Sequence, residues 1–313
     1  MTAPSSPLFF LRPSHAAGYL SLCLIYGTTW LAIRFAVRDI PPLEAAAIRF
    51  SLAAIILLSV AALQKRKWPK GKQQWKATLT LSCTMMAIPF GLVFWAEQYV
   101  TSSMTAILYS ASPLTVSLFT AIFMGQKVPR RAVLAMVIAF AGILDLFYSG
   151  LGHSRQALLG GGAVLTAMMM ASWSVVYAKQ RLQNMDAIVS TGTQLLFASI
   201  MLGWASWSLE SRLHAVWTRP AIVAMAFLTI VGSCGALVVY YWLLKHIQPY
   251  QLSTTSLVVP VIAVLEGALI AGEPVPWKMG AVIVIVLLSV ATALRAEAQA
   301  GDEIQVLMLR EKA

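Results

Sequence analysis

Charged residues are scarce in this sequence. Asp, Glu, Lys and Arg together make up 11% of its 313 residues, whereas an average soluble domain carries about 25%. Hydrophobic residues make up 59%, and apolar runs long enough to span a bilayer recur along the whole chain. This composition excludes a soluble globular protein, a disordered chain and a disulfide-stabilised scaffold, and it indicates a protein embedded in a membrane.

Cysteine and histidine are also rare. The three cysteines (Cys23, Cys83 and Cys234) lie inside apolar runs, and the four histidines fall in loops or at helix ends. Their spacing fits no metal site, and the sequence contains no Gly-x-Ser-x-Gly elbow, P-loop or dinucleotide-binding fingerprint. We therefore expect no disulfide, no metal, no cofactor and no enzymatic activity.

The apolar runs predict ten transmembrane helices, because a window of about 20 residues crosses roughly 30 Å of hydrocarbon. The approximate ranges are 15–34, 42–62, 76–96, 102–124, 130–149, 157–178, 187–208, 220–243, 250–271 and 277–296. Short segments rich in Pro and Gly separate several of them. The sequence thus predicts an all-α polytopic membrane protein, with residues 1–14 and 297–313 as cytoplasmic ends.

The basic residues predict the orientation. There are 23 Lys and Arg against 12 Asp and Glu, an excess that in a soluble protein would point to nucleic acid. Here the basic residues lie in short loops, where they favour the cytoplasmic side. With the N-terminus inside, sixteen fall on the inner side and six on the outer side, and the remaining one is Arg49 within the second span. This predicts a multi-pass inner (plasma) membrane protein with both termini in the cytoplasm and no nucleic-acid partner.

The chain contains an internal repeat at an offset of 147 residues. Eight of the 26 positions from 113 to 138 are identical to their mates, where this composition gives about three by chance. The identical pairs are Pro113/Pro260, Leu118/Leu265, Ala121/Ala268, Gly125/Gly272, Val128/Val275, Pro129/Pro276, Val137/Val284 and Ile138/Ile285. Residues 15–149 and 157–296 then form two repeats of five spans each, and an odd number of spans places the copies in opposite orientations, as in many secondary transporters.

Several motifs carry a family resemblance over about residues 16–296. In chain order they are Tyr26 to Arg34, Ile48-Arg49-Phe50, Trp95-Ala96-Glu97-Gln98, Ser110 to Leu114, Trp173, Pro260-Val261 and Gly272-Glu273. This ordered set resembles EamA-like members of the drug/metabolite transporter superfamily. The resemblance implies ten helices in two inverted repeats, a central substrate cavity, and export or exchange of small metabolites. The first half has Gly125-Gln126 where the family usually has Gly-Glu, so that acid is not expected to do essential proton chemistry.

Two aromatic pairs are candidates for the transport path. Tyr26 and Trp30 lie four residues apart on one helix face, and the repeat carries them onto Trp173 and Tyr177. Their rings could form opposing gates or stack on an aromatic or cationic substrate; the alternative is that they pack between helices or at the membrane interface. Further polar residues predicted to face the same cavity are Thr29, Tyr109, Ser110, Tyr240 and Ser256.

Two charged residues and two prolines lie inside predicted spans. Arg49 could bind a substrate carboxylate, or it could pair with Glu44, Glu97 or a helix end. Glu266 is the candidate for proton coupling, because a buried carboxyl can exchange a proton; the alternative is a helix–helix hydrogen bond or a counter-ion for a fixed Arg. Pro113 and Pro260 are symmetry mates, and each removes a helical N–H, so both are candidate hinges.

These features predict a secondary transporter that exports or exchanges small metabolites, with amino acids and related amphiphiles as expected substrates, by alternating access around a midplane cavity. The alternatives are a uniporter or channel-like facilitator, and a carrier for organic cations or other xenobiotics. The expected partners are a small-molecule substrate and membrane lipid, and the chain is expected to be a monomer or a homodimer.

Overall fold

The computed structural model describes residues 13–125, 130, 133–134, 137–138, 141–142, 145, 154–182, 185–236, 239, 243, 255–275, 277–285, 287–289 and 291–292. These residues form helices joined by short turns, and no strand occurs among them. This agrees with the all-α class expected from the apolar runs.

Eight helices carry the architecture described below. They are α1 (Pro13–Asp39), α2 (Pro42–Leu63), α3 (Lys72–Ala96), α4 (Ser102–Phe123), α5 (Arg155–Arg181), α6 (Ala187–Leu209), α7 (Arg219–Gly235) and α8 (Thr255–Ala271). A further apolar helix covers Trp277–Ser289, and the described residues from 130 to 145 are helical as well. Helices α1 to α6 are each long and apolar enough to cross a membrane, whereas α7 and α8 are shorter over their described residues.

Side chains at the helix starts explain several boundaries. Thr101 accepts a hydrogen bond from the backbone N–H of Met104, and Thr218 accepts one from Ala221. Asp186 accepts two from the first turn of α6. Each cap satisfies donors that a helix leaves unpaired at its N-terminus, and this fixes where the helix begins.

Helices α3 and α7 both contain a π-helical segment. These segments span Ser82–Ala87 in α3 and Phe227–Gly235 in α7. Adding the offset of 147 residues to the first gives positions 229–234, which lie inside the second. A π segment widens one turn, shifts the register of the side chains that follow, and occurs frequently at functional sites.

The two candidate hinge prolines lie in different settings. Helix α4 is interrupted at Ser110-Ala111, and its second part starts at Ser112, so Pro113 occupies the first turn of a helical segment. Proline fits there because the N–H at that position has no helical partner. Pro260 lies inside the continuous helix α8.

Small residues allow close contacts between helices of the two halves. Helix α2 packs along α6, α1 packs on α8, and α5 packs on α3 and α4. A Cβ atom added to Gly192 of α6 would lie 2.7 Å from Leu58 of α2, and one added to Gly27 of α1 would lie 2.5 Å from Ile262 of α8. Membrane helices associate by such packing, because lipid removes the hydrophobic driving force between them.

Candidate functional site

A cavity of about 470 Å³ lies between the helices, and each of α1 to α8 contributes to its lining. The volume is in the range of small-molecule binding sites. Of the residues predicted from sequence to face a cavity, those that line it are Tyr26, Thr29, Trp30, Arg49, Tyr109 and Ser110, together with the candidate hinge Pro260.

One wall of the cavity is aromatic. Tyr26 and Trp30 both line it from α1, and Tyr109 lines it from α4. The ring centroids of Trp30 and Tyr109 are 5.3 Å apart, and their planes are tilted by 51°. These are geometries at which aromatic pairs attract each other, so the wall is held in place by its own contacts.

The second aromatic pair, Trp173 and Tyr177, lies outside the described lining of this cavity. Their rings stack on each other at 5.2 Å with an interplanar angle of 18°. Helix α5 instead lines the cavity with Ala171, Ser172 and Val175. At about 100° per residue, these three lie on a different face from Trp173 and Tyr177.

Arg49 is the only charged residue among the described residues that line the cavity. Its side chain is 4% exposed. The Nε–H donates to Ser233 Oγ at 3.1 Å, and the hydroxyl of Ser233 donates to the carbonyl of Leu228. Ser233 belongs to the π segment of α7, so a residue of the second half orients the guanidinium of the first.

Phenyl rings surround the rest of this guanidinium. Its central carbon lies 5.7 Å from the ring centroid of Phe50, 5.3 Å from that of Phe90 and 5.9 Å from that of Phe94, within the range of cation–π attraction. Nη1 is buried and has no hydrogen-bond partner among the described residues. Of the alternatives for Arg49, a salt bridge with Glu97 or Glu44 does not occur among the described residues, where the single salt bridge joins Arg66 and Asp186.

Glu266 lies outside the described cavity lining. Its Oε1 accepts a hydrogen bond of 2.8 Å from Thr28 on α1, while Oε2 is buried without a partner among the described residues. The carboxyl group therefore lies at the contact between α1 and α8. Its partner Thr28 directly precedes the cavity-lining Thr29.

Three other predicted site residues are not part of the described cavity lining. Pro113 is not part of the described lining. Tyr240 lies outside the described residues, and Ser256 is described only as part of the backbone of α8.

From the sequence alone, Gly232 and Ser233 were not predicted to line the cavity. Met85 and Met86 line it from the π segment of α3, and Gly232 and Ser233 line it from the π segment of α7. These two pairs are related by the offset of 147. The internal repeat is therefore the feature of the sequence that relates these residues.

The EamA-like transporter family model matches residues 16–148 and again residues 158–295. The chain belongs to this family. Its members are transporters rather than enzymes, in agreement with the expectation from the motifs. The chain is therefore a membrane transport protein with a small-molecule substrate.

Relatives of this EamA-like chain are similar over most of their length. It is 30% identical to the uncharacterized inner membrane transporter YedA of Escherichia coli (strain K12), covering 86% of this chain and 88% of that protein. It is 28% identical to the uncharacterized transporter YoaV of Bacillus subtilis (strain 168), covering 80% and 86%. A solved crystal structure superposes with a TM-score of 0.64 at 17% identity, covering 92% of this chain and 99% of that one, which shows a shared fold.

Buried carboxylates hold the loops of this EamA-like fold together. Glu273 Oε1 accepts from the N–H and hydroxyl of Ser102, and Oε2 from those of Ser103, so all four bonds go to the first turn of α4. Glu210 likewise accepts from two backbone N–H groups in the first turn of α2. Neither side chain lines the described cavity, and the bonding of Glu273 is that of a structural anchor.

Proposed function

We propose that this protein is a secondary transporter that exports or exchanges small organic solutes by alternating access. The observation that carries the proposal is the shared cavity, which residues of both matched halves enclose. Arg49 and Ser233 join those halves at the cavity wall. A site between two halves can open first to one side and then to the other when the halves rock against each other.

Contacts between loops support the alternating topology. Arg66, after α2, bonds with Asp186, before α6, at 2.8 Å, so both lie on the same side of the membrane. Helices α3, α4 and α5 lie between them, and three crossings would separate the two residues. A fourth crossing is required, and the described helical residues between 130 and 145 are its natural place.

The opposite set of loops gives the same result. Thr218, before α7, donates a hydrogen bond to the carboxylate of Asp39, after α1. Five of the named helices, α2 to α6, lie between these residues, and one further crossing makes the number even. With both termini inside, the Arg66 and Asp186 contact is cytoplasmic and the Asp39 and Thr218 contact is external. The name of the relative YedA adds support for the inner membrane.

The paired π segments support the inverted repeat. They occur at the offset that aligns the two halves, and both face the cavity. Ten helices in two copies of five, residues 15–149 and 157–296, would place such duplicated segments on opposite sides of a central axis.

Counterflow in proteoliposomes tests the transport mechanism. We expect uptake of a labelled solute to saturate and to accelerate when the same unlabelled solute is inside, because a carrier returns faster when loaded. A channel-like facilitator would show uptake that neither saturates nor responds to the inner solute, and that result would refute alternating access. Amino acids and related amphiphiles form the first solute panel, and organic cations form the second.

Glu266 is proposed as the group that couples transport to protons. One of its oxygens accepts from Thr28, and the other is buried without a partner among the described residues, so protonation would neutralise a negative charge at the contact between α1 and α8. We expect Glu266→Gln to abolish the response to an imposed pH gradient while counterflow continues. Thr28→Val is the matched control, because it removes the hydrogen bond from Thr28 to Glu266 and leaves the carboxyl group able to titrate. Transport by Glu266→Gln that still followed the gradient would exclude the coupling role.

A further inference from the structure

Among the described residues, the positive charge of Arg49 has no fixed negative partner in the cavity. The described lining contains five aromatic residues, seven Ser or Thr residues and no carboxylate. One guanidinium nitrogen donates to a neutral hydroxyl, and Nη1 donates to nothing among the described residues. A side chain that is 4% exposed therefore has a hydrogen-bond donor that no described residue accepts from.

This arrangement is costly unless a ligand completes it. A buried charge is stable only when it is paired and hydrogen-bonded, and cation–π contacts with three phenyl rings compensate in part. Those contacts and the bond to Ser233 hold the guanidinium in place.

We propose that the cavity recognises the carboxylate of a small organic acid with an apolar or aromatic body, and that Arg49 binds that carboxylate. A planar guanidinium matches a carboxylate in geometry and forms short, charge-assisted hydrogen bonds with it. The inference rests on the proposed transport function, and it narrows the substrate class from small organic solutes to monoanions. It argues against organic cations, which would meet a like charge and no acid.

The remaining lining fits the other end of such a molecule. Tyr26, Trp30, Phe90, Met85 and Met86 provide aromatic and thioether surface, which suits an apolar body of variable shape. A single cation balances a monoanion, whereas a phosphate monoester carries up to two negative charges and would leave one of them unpaired in this lining.

Binding of a matched ligand series to the purified full-length protein tests the proposal. The probes are 3-phenylpropanoate, 3-phenylpropanamide, 3-phenylpropylamine and phenyl phosphate, with 4-methylpentanoate as a carboxylate that has an aliphatic body. Isothermal calorimetry or microscale thermophoresis in detergent gives each Kd. We expect the carboxylates to bind about tenfold or more tightly than the neutral amide, and the amine to bind more weakly than the amide.

Variants separate recognition from folding. Arg49→Gln should reduce the affinity for 3-phenylpropanoate to that for the amide, while affinity for the amide changes by less than about twofold. Retained amide binding shows that the variant is folded. Arg66→Gln is the matched control, because it removes the same charge outside the cavity, and it should leave every Kd unchanged.

The other possible results refute either the carboxylate proposal or the transport function, and the two can be told apart. Equal or tighter binding of the amide, the amine or phenyl phosphate overturns the inference, as does failure of both carboxylates to bind. A preference for carboxylate that persists in Arg49→Gln overturns it as well. Carboxylates that bind as expected but show no flux or counterflow would refute the transport function alone, whereas counterflow confined to neutral or cationic solutes would refute this inference alone.

Discussion

Replacing Glu273 with glutamine is expected to destabilise the fold without removing transport chemistry. The carboxylate accepts four hydrogen bonds at 2.6 to 3.1 Å from Ser102 and Ser103. In glutamine one oxygen becomes an NH₂ group, which cannot accept, so one buried backbone N–H loses its partner. That loss costs about 1–3 kcal/mol, and losing the charge at the N-terminus of α4 costs roughly 0.3–1 kcal/mol more.

Thermal unfolding in detergent, followed by intrinsic fluorescence, measures this effect. We expect Glu273→Gln to lower the Tm by several degrees, and Glu273→Ala to lower it further because both backbone N–H groups are then left unpaired. Glu44→Gln is the matched control. Glu44 also lies in the first turn of a helix, α2, so its replacement should cost only the dipole contribution of about 0.3–1 kcal/mol.

The structural explanation of Glu273 has a clear competitor, which is that the acid carries the transported proton. A Glu273→Gln protein that melted within about 1 °C of wild type but no longer responded to a pH gradient would refute the anchor. A lowered Tm together with a normal gradient response would support it.

Two further substitutions test contacts between the halves. Gly27→Val should lower the free energy of unfolding by about 1–3 kcal/mol, because a Cβ there would lie 2.5 Å from Ile262; an unchanged midpoint in SDS unfolding would contradict this packing. Asp186→Asn keeps the α6 cap and removes the partly exposed ion pair with Arg66, which is worth roughly 0.2–1 kcal/mol. Burial alone would raise the pKa of Asp186, but hydrogen bonds from Arg66 and from the start of α6 lower it below its ordinary value of 3.8. The stabilisation by the ion pair is therefore present above pH about 5 and lost as the pH falls below about 4. The thermal melts of Asp186→Asn and wild type should differ above pH about 5 and coincide below about 4. A difference in Tm that persisted at low pH would show that the ion pair does not cause it.

Proline breaks and the length of the apolar runs predicted most helix boundaries. The largest error in a predicted boundary occurred where charged residues lie near a helix end. The predicted first span stopped at residue 34, whereas α1 continues to Asp39. A hydropathy window ends where Arg34, Arg38 and Asp39 appear. In the structure Arg34 donates to backbone carbonyls at the end of α3, and Asp39 accepts from Thr218. Tertiary partners satisfy these polar groups, so the helix extends beyond its apolar part.

The residues of the candidate site that could be predicted from sequence are those whose polarity differs from that of the apolar run around them. Arg49 stands out because a charge inside an apolar run needs a partner or a cavity, and the structure places it at a cavity. Ser233 could not be found in the same way, because a serine in an apolar helix is ordinary and its contact spans 184 residues. The π segments that position it are also invisible to hydropathy, since they change helical register rather than composition.

The features that the repeat duplicates differ in kind from those that occur once. Two features of the backbone are duplicated: the π segments recur at the offset of 147 residues, and Pro113 recurs as Pro260. The two charged residues inside the spans, Arg49 and Glu266, are single, because their mates are Leu196 and Phe119. Leu196 is 37% exposed, on a surface where a fixed charge would face lipid. A carrier that uses one cavity in both of its states needs two similar moving halves but only one charge to hold its substrate, and this chain has that distribution.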